Sequence, residues 1–294
     1  MIFNLPVFIL MGASIMWGLS WIPLKYINNM GVDGLTLTLL TYGILALILS
    51  QFLLKHIKIM CEHKRAIFFI ALFGGGANLA FTYALINGEV IRVMVLFYLL
   101  PVWGVLGGKF FLKESIDSWR YMGVFLAVCG AFLILGGFDA FSTPPSWIDL
   151  IALLSGLFFA MNNLTFRAAQ AVPVSSKVGI MFLGCFTLCG FLLLGGAEEI
   201  TLDISYETWI LILAYSIFWL LLANIGSQWG VTHMEAGRSS IIIILELITA
   251  VISASIIAGE IMTPLEYLGG VFILSAALIE ALRTKDDDIP QTTI

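Results

Sequence analysis

The stretch Gly88–Trp103, GEVIRVMVLFYLLPVW, sets Glu89 and Arg92 at the start of a long apolar run. It is echoed once, far down the chain. Adding 146 to each residue number carries Ala77 and Asn78 onto Ala223 and Asn224, Glu89 onto Glu235, Arg92 onto Arg238, Glu114 onto Glu260, Tyr121 onto Tyr267 and Gly123 onto Gly269. Any two apolar helices share Leu and Ile by chance, but charged residues inside them are rare. Matching polar positions therefore mark an internal duplication.

With 294 residues, 60% of them hydrophobic and only 11% charged, and a mean hydropathy of +1.03, the chain has too little polar surface for a soluble globule. A lipid bilayer is its expected surrounding. The net charge of -5 carries little weight, since the acidic residues sit in loops and in the Asp286–Asp288 run. No basic patch points to nucleic acid. Of the four cysteines, Cys61, Cys129, Cys185 and Cys189, only the last two are close in sequence, and no His or carboxylate lies near them to complete a metal site. They read as packing residues. No metal or other cofactor is expected. The N-terminus lacks a basic n-region and a small-residue cleavage site, so its apolar stretch reads as a retained first helix.

A spanning helix needs about 20 apolar residues. That ruler places ten spans, near 5–27, 34–54, 66–86, 90–111, 119–138, 147–169, 176–197, 207–231, 237–258 and 265–282. Basic residues favour the cytoplasmic side. If the loop holding Lys55, Lys58, Lys64 and Arg65 is inside, then Lys109, Lys113, Arg120, Arg167, Lys177, Arg238, Arg283 and Lys285 also fall at inside ends, leaving only Lys25 and Arg92 outside. Both termini are then cytoplasmic. The expected fold is an all-α membrane protein of ten transmembrane helices, with five in residues 1–140, five in residues 147–283, and a cytoplasmic tail at 284–294. Five is odd, so the second set enters the membrane upside down. Inverted five-helix repeats with short loops recur in secondary transporters, where two halves rock about a midplane site, and also in some channels. A monomer or weak dimer is the expected state.

Glu89 with Arg92 and Glu235 with Arg238 stand three residues apart, which puts each pair on one face at a helix start. In inverted halves one pair lies near each membrane surface. They read as symmetry-related gate latches or as solvated ion pairs marking helix ends. Glu246 falls in the middle of the ninth span, on a polar stripe with Ser239, Ser253 and neighbouring Thr249. A carboxylate in hydrocarbon costs several kcal/mol or takes up a proton. It reads as a site for a substrate ammonium or a carried proton, or as a protonated group bonded to a neighbouring helix. Asn78 with Thr82 and Asn224 with Gln228 repeat a polar pair on the third and eighth spans, as cavity lining or as glue between helices. Trp17, Trp21, Tyr98, Trp103 and Trp229 supply apolar walls, and Asn163 on the sixth span joins the candidate lining. Trp119, Trp147, Tyr206 and Trp209 sit at helix starts and read as an interfacial belt. Gly74–Gly76 suits either close helix approach or a flexible point. The histidines, His56, His63 and His233, have no Ser, Cys or Asp placed with them as a triad, which argues against an enzyme.

Trp17-Gly18, Leu100-Pro101-Val102, Lys113-Glu114 followed by Tyr121-Met122-Gly123, Leu245-Glu246 and Gly259-Glu260, taken in this order, resemble the EamA-type branch of the drug/metabolite transporter superfamily over nearly the whole chain. The family often has Gly-Glu where this chain has Lys113-Glu114, and Glu-Pro where it has Glu246-Leu247. The resemblance implies a ten-helix inverted-repeat carrier for a small-molecule substrate, with amino-acid or related metabolite export foremost. Vitamin, nucleobase and drug carriers belong to the same family.

Overall fold

The computed structural model describes residues 5–99, 102, 103, 106, 109, 118–138, 145–201, 203–233 and 236–283, with backbone alone at 120, 167, 231, 232, 236–241 and 280–283. Every regular element among the described residues is helical. Among the described residues, six stretches are long and apolar enough to cross a membrane: Leu5–Asn29, Gly34–Lys55, Lys64–Asn87, Trp147–Phe166, Val174–Leu194 and Tyr206–Gly230. Each coincides, within a few residues, with an expected span. The shorter apolar helices Tyr121–Ile134, Ile242–Ala258 and Pro264–Ile279 fall on the fifth, ninth and tenth expected spans. Of the fourth, the helix Val90–Phe97 and a few later residues are described.

The spans are not uniform rods. The first divides into α1 (Leu5–Gly18) and α2 (Trp21–Asn29) around a turn at Leu19-Ser20. Pro23 has no N–H to return to the Leu19 carbonyl, so the helix restarts with proline in its first turn, where that donor is not needed. After α3 (Gly34–Lys55), α4 (Ile57–Glu62) and α5 (Lys64–Phe69), the third span passes through a π-helical segment at Ile70–Gly74 into α6 (Gly75–Asn87). The eighth does the same, with Tyr215–Leu221 joining α11 (Tyr206–Ala214) to α12 (Leu222–Thr232). Shifting 70–74 by 146 gives 216–220, inside the second π segment. Isolated π turns are rare and concentrate at functional places, so their recurrence at equivalent positions extends the duplication from residue type to backbone.

The packing has the same exchange property. The remaining helices are α7 (Val90–Phe97), α8 (Ser118–Ile134), α9 (Trp147–Ala168), α10 (Val174–Leu194), α13 (Ala236–Ser253) and α14 (Pro264–Arg283). In the first half's terms, α1 packs on α12 and α13; in the second half's, α9 packs on α6 and α7. The second spans of the two halves, α3 and α10, lie against each other, and so do the last ones, α8 and α14. Exchanging the halves converts this set of pairs into itself. The α8–α14 crossing is built on glycine, where close approach requires it: a Cβ on Gly130 would meet the Gly269 carbonyl at 2.6 Å, and one on Gly269 would meet the Gly130 carbonyl at 2.6 Å. The duplication's counterpart of this crossing joins Gly123 to Ala276, and there a Cβ on Gly123 would have the Ala276 carbonyl at 3.7 Å. Small residues at helix contacts are what a bilayer selects, because lipid supplies no hydrophobic drive and only close packing does. Outward faces carry large apolar side chains such as Leu47, Leu54, Phe125, Leu194, Phe218 and Ile256, all exposed.

Candidate functional site

Three polar places stand out. The first surrounds Glu246 on α13. Gly18 ends α1 directly against this turn, since a Cβ there would collide with the Glu246 carbonyl oxygen and reach the Thr249 Cβ at 2.9 Å. At the end of α7, the Tyr98 hydroxyl donates to the Ile243 carbonyl at 3.1 Å and lies beside the Glu246 carboxyl group. One step along the stripe, the Trp21 Nε1 donates to Ser253 Oγ at 3.0 Å, and Ser253 in turn donates to the Ala250 carbonyl. The structure thus brings Trp21, Tyr98, Glu246 and Ser253 together from three spans, with partly buried Trp17 one turn before Trp21. Partly buried Trp103 has a buried Nε1 with no hydrogen-bond partner among the described residues. Ser239 is described by backbone alone.

The second place is the pair of third-position helices. The Asn78 Nδ2 donates to the Gly74 carbonyl at 2.7 Å, and the Asn224 Nδ2 donates to the Leu220 carbonyl at 2.9 Å. Both carbonyls belong to the π segments, so each amide side chain reinforces the same irregular turn. Asn78 also accepts from the Tyr42 hydroxyl at 3.0 Å, and Thr82 Oγ1 lies 3.4 Å from that hydroxyl. Tyr42 is buried and meets Phe182 edge-on at 5.6 Å. Gln228 is partly buried, and Trp229 stacks on His233 with ring centroids 4.2 Å apart. Asn163 does not join this interior: it is exposed, while adjacent Asn162 is buried with its Oδ1 against Gly74 and without a hydrogen-bond partner. A helix turns about 100° per residue, so a shift of one position moves the amide from the outer to the inner face.

The third place gathers three helix starts. Arg92 does not pair with Glu89. Its Nε and Nη2 donate to the two Asp149 oxygens at 2.6 and 3.0 Å, and its Nη1 lies 3.6 Å from Glu266. Glu89 is the extended residue preceding α7, with φ -71° and ψ 126°, so the helical geometry that makes residues three apart neighbours does not apply to it. Asp149 and Glu266 are themselves capping residues: Asp149 exchanges hydrogen bonds with Ser146 at the start of α9, and Glu266 with Thr263 at the start of α14. Glu260 serves α7 in the same way, accepting from the backbone N–H groups of Val90 and Ile91 at 2.7 and 2.9 Å. Helix N-termini carry partial positive charge, which carboxylates match. Arg92 then answers the carboxylates. From α2, the Lys25 Nζ donates to the Gly88 carbonyl at 2.7 Å and ties the first span to the same point. A cavity of about 60 Å³ lies within this cluster, lined among others by Glu89, Arg92, Val95, Ile134, Glu260 and Glu266. Of the matching pair in the second half, Glu235 and the Arg238 side chain lie outside the described residues.

Other readings resolve locally. Trp119, Trp147 and Tyr206 are exposed. Cys185 and Cys189 are buried, and Cys189 Sγ donates to the Leu35 carbonyl at 3.0 Å. Among the described residues, no three His, Cys, Asp or Glu side chains are grouped to hold a metal. Sequence reasoning missed Asp149, Tyr42, Lys25 and Asn162. Ser146 and Asp149, three residues apart before an apolar run, carry a capping-box signal that marks the helix start but does not disclose the partner 57 residues away.

The chain is 28% identical over 189 residues to the "Uncharacterized transporter YetK" of Bacillus subtilis, covering 61% of this chain and 56% of that one. It is 24% identical over 205 residues to "Protein RarD" of Salmonella typhimurium, covering 66% of each. The chain thus spans between about half and two thirds of the length of these relatives. A chain of a solved crystal structure superposes with a TM-score of 0.62 at 16% identity, covering 94% of this chain and 96% of its own, which makes the folds alike. The EamA-like transporter family matches twice, over residues 4–136 and 146–280, the same two halves that the shift of 146 relates. The chain belongs to the EamA-like transporter family, within the drug/metabolite transporter superfamily.

Proposed function

We propose that this protein is a secondary carrier in which two inverted five-helix halves alternate access to a midplane site, and that its cargo is an amino acid or a related amine-bearing metabolite moved outward. The single observation that carries the cargo class is Glu246. A carboxyl group inside a membrane bundle is expensive and serves ions, protons or substrate, and this one meets Tyr98 from one side and the crossing at Gly18 from the other. Trp17 and Trp21 supply flat apolar surface one turn away, suited to pack the side chain of such a solute or to present a ring face to its ammonium group. Duplication of the halves is supported by the exchangeable helix pairs and by the recurring π segments with their Asn78 and Asn224 bonds, and an odd number of spans in each half supports the inverted arrangement. Orientation follows the basic residues, with both termini in the cytoplasm of a bacterial-type inner membrane and the Arg92 end outside.

The test is a thermal-shift screen of purified protein with amino acids, nucleobases and vitamins, repeated on Glu246→Gln. Amine-bearing solutes are expected to raise the unfolding temperature of the wild type and to lose most of that effect in the variant. A response confined to uncharged nucleobases or vitamins would replace the amine reading with that of an importer for such compounds.

A further inference from the structure

The turn between the second and third spans concentrates charge that neither the site at Glu246 nor the cluster at Arg92 uses. Between Asp33 and Glu89 the only acidic residue is Glu62, whereas Lys55, Lys58, Lys64 and Arg65 all fall within residues 55–65. Four cations against one carboxylate leave +3 on this turn, in a chain whose net charge is -5. Gly34–Lys55 and Lys64–Asn87 both have the length and apolarity of spans, so the turn joining them sits at a membrane surface. The structure fixes how its charges are presented. His56 and His63 each interrupt the helix for one residue, which sets α4 apart between α3 and α5. His56 Nδ1 lies 2.9 Å from Ser176 Oγ, which donates to the Phe52 carbonyl, and His63 Nδ1 lies 3.0 Å from the Ile59 carbonyl. Ile59 and Met60 pack on the core and hold α4 down. Lys55, Lys58, Lys64 and Arg65 are all exposed, and among the described residues none of them is within ion-pair distance of a carboxylate, Glu62 included. Leu54, Ile57, Phe68 and Phe69, also exposed, alternate with them along the chain.

We infer that this turn is a binding surface for anionic phospholipid, its four cations meeting headgroup phosphates while Leu54, Ile57, Phe68 and Phe69 lie along the acyl chains. Orientation in a membrane needs only the number of basic residues on one side. Here they are also unpaired, carried on a helix that is held in place, and set among exposed apolar side chains at the depth of the interface. Each cation near an anionic leaflet strengthens attachment about fivefold, and the attraction fades within a Debye length. The single carboxylate, Glu62, works against that attraction. The inference is independent of the solute carried and of the carrier reading. With the orientation proposed above, the leaflet concerned is the cytoplasmic one.

In the experiment, purified protein in an uncharged detergent is titrated with dihexanoyl phosphatidylglycerol, with dihexanoyl phosphatidylcholine and with inorganic phosphate, and the unfolding temperature is followed. Detergent takes membrane orientation out of the question, which loss of basic residues would otherwise disturb. The wild type is expected to gain stability with phosphatidylglycerol, to gain little with either of the others, and to lose the gain as salt is raised. Lys58→Gln with Lys64→Gln is expected to raise the phosphatidylglycerol concentration at half-effect about tenfold. Glu62→Gln, which removes the opposing charge, is expected to lower it about threefold. An equal gain with phosphatidylcholine overturns recognition of charge, and an equal gain with phosphate makes the turn a site for free anions and overturns the lipid. A half-effect concentration unmoved in both variants puts the lipid elsewhere on the protein and overturns the inference.

Discussion

Asn78 and Asn224 stand 146 residues apart and make the same hydrogen bond, each side-chain amide donating to the carbonyl four residues earlier, at 2.7 Å to Gly74 and at 2.9 Å to Leu220. Both carbonyls lie in π-helical segments that themselves recur at the same shift. Duplicated chemistry at a duplicated irregularity is hard to attribute to chance.

Among the described residues, only Asn78 of the two asparagines has a second partner. Asn78 accepts from Tyr42, whose counterpart under the shift is Leu188. Tyr42→Phe and Asn78→Leu are therefore expected to be non-additive, with a coupling of about 1 kcal/mol in unfolding free energy. Denaturant titration in detergent of the two single variants and the double variant measures this coupling. Additive effects would remove the Tyr42–Asn78 bond from the account.

At the α8–α14 crossing, Gly269→Val should destabilise the protein strongly, by ~3 kcal/mol or to the point of losing expression, because the new side chain meets the Gly130 carbonyl. Gly123→Ala, at the roomier counterpart, should be tolerated, since its Cβ finds its nearest neighbour at 3.7 Å. Monodispersity and unfolding temperature compare the two. Equal damage at both positions would contradict the packing described.

Asp149→Ala removes one half of the capping box, the acceptor for the Ser146 N–H, and leaves Arg92 without its main partner. Loss of that reciprocal bond, with the Ser146 cap kept, costs about 1 kcal/mol or less, and a partly buried guanidinium without its carboxylate adds about 1 kcal/mol or more. Asp149→Asn should recover the capping share and not the rest. If alanine and asparagine are equally harmful, the cap contributes nothing and the ion pair carries the whole effect.

Much of this was legible in the sequence. The spans follow from apolar runs, and the duplication from polar residues, because both are local or periodic signals. Of the Glu246 stripe, where seven residues return a helix nearly to the same face, Ser253 meets Trp21, while the Ser239 side chain lies outside the described residues. Long-range pairing was not legible. Arg92 has a nearby carboxylate in sequence, Glu89, but chooses Asp149 because α7 begins one residue after Glu89 and the three helix starts converge. The sequence points to Asn163 but holds no means of fixing helical phase, because an apolar helix surrounded by lipid and protein gives no clear polar face, and Asn162 is the one that turns inward.

Glu246→Gln keeps size and hydrogen bonding but cannot become anionic. If the carboxylate receives the substrate ammonium, wild-type affinity should fall as the medium is acidified and the group takes up a proton, whereas the glutamine variant should bind weakly, by roughly tenfold or more, and without that pH dependence. If the group carries a proton instead, the variant should keep affinity and lose pH-dependent transport. Wild-type behaviour of Glu246→Gln at every pH would assign the residue to structure alone.

The central claim, a carrier with alternating access, is tested most directly by counterflow. Purified protein is reconstituted in liposomes loaded with an unlabelled amino acid identified by the thermal-shift screen, and a trace of the labelled form is added outside. Alternating access predicts transient accumulation of label above its external concentration, because each outward trip of unlabelled solute returns the site to capture label. Label that only equilibrates, with no overshoot at any internal load, would contradict the account and identify a channel.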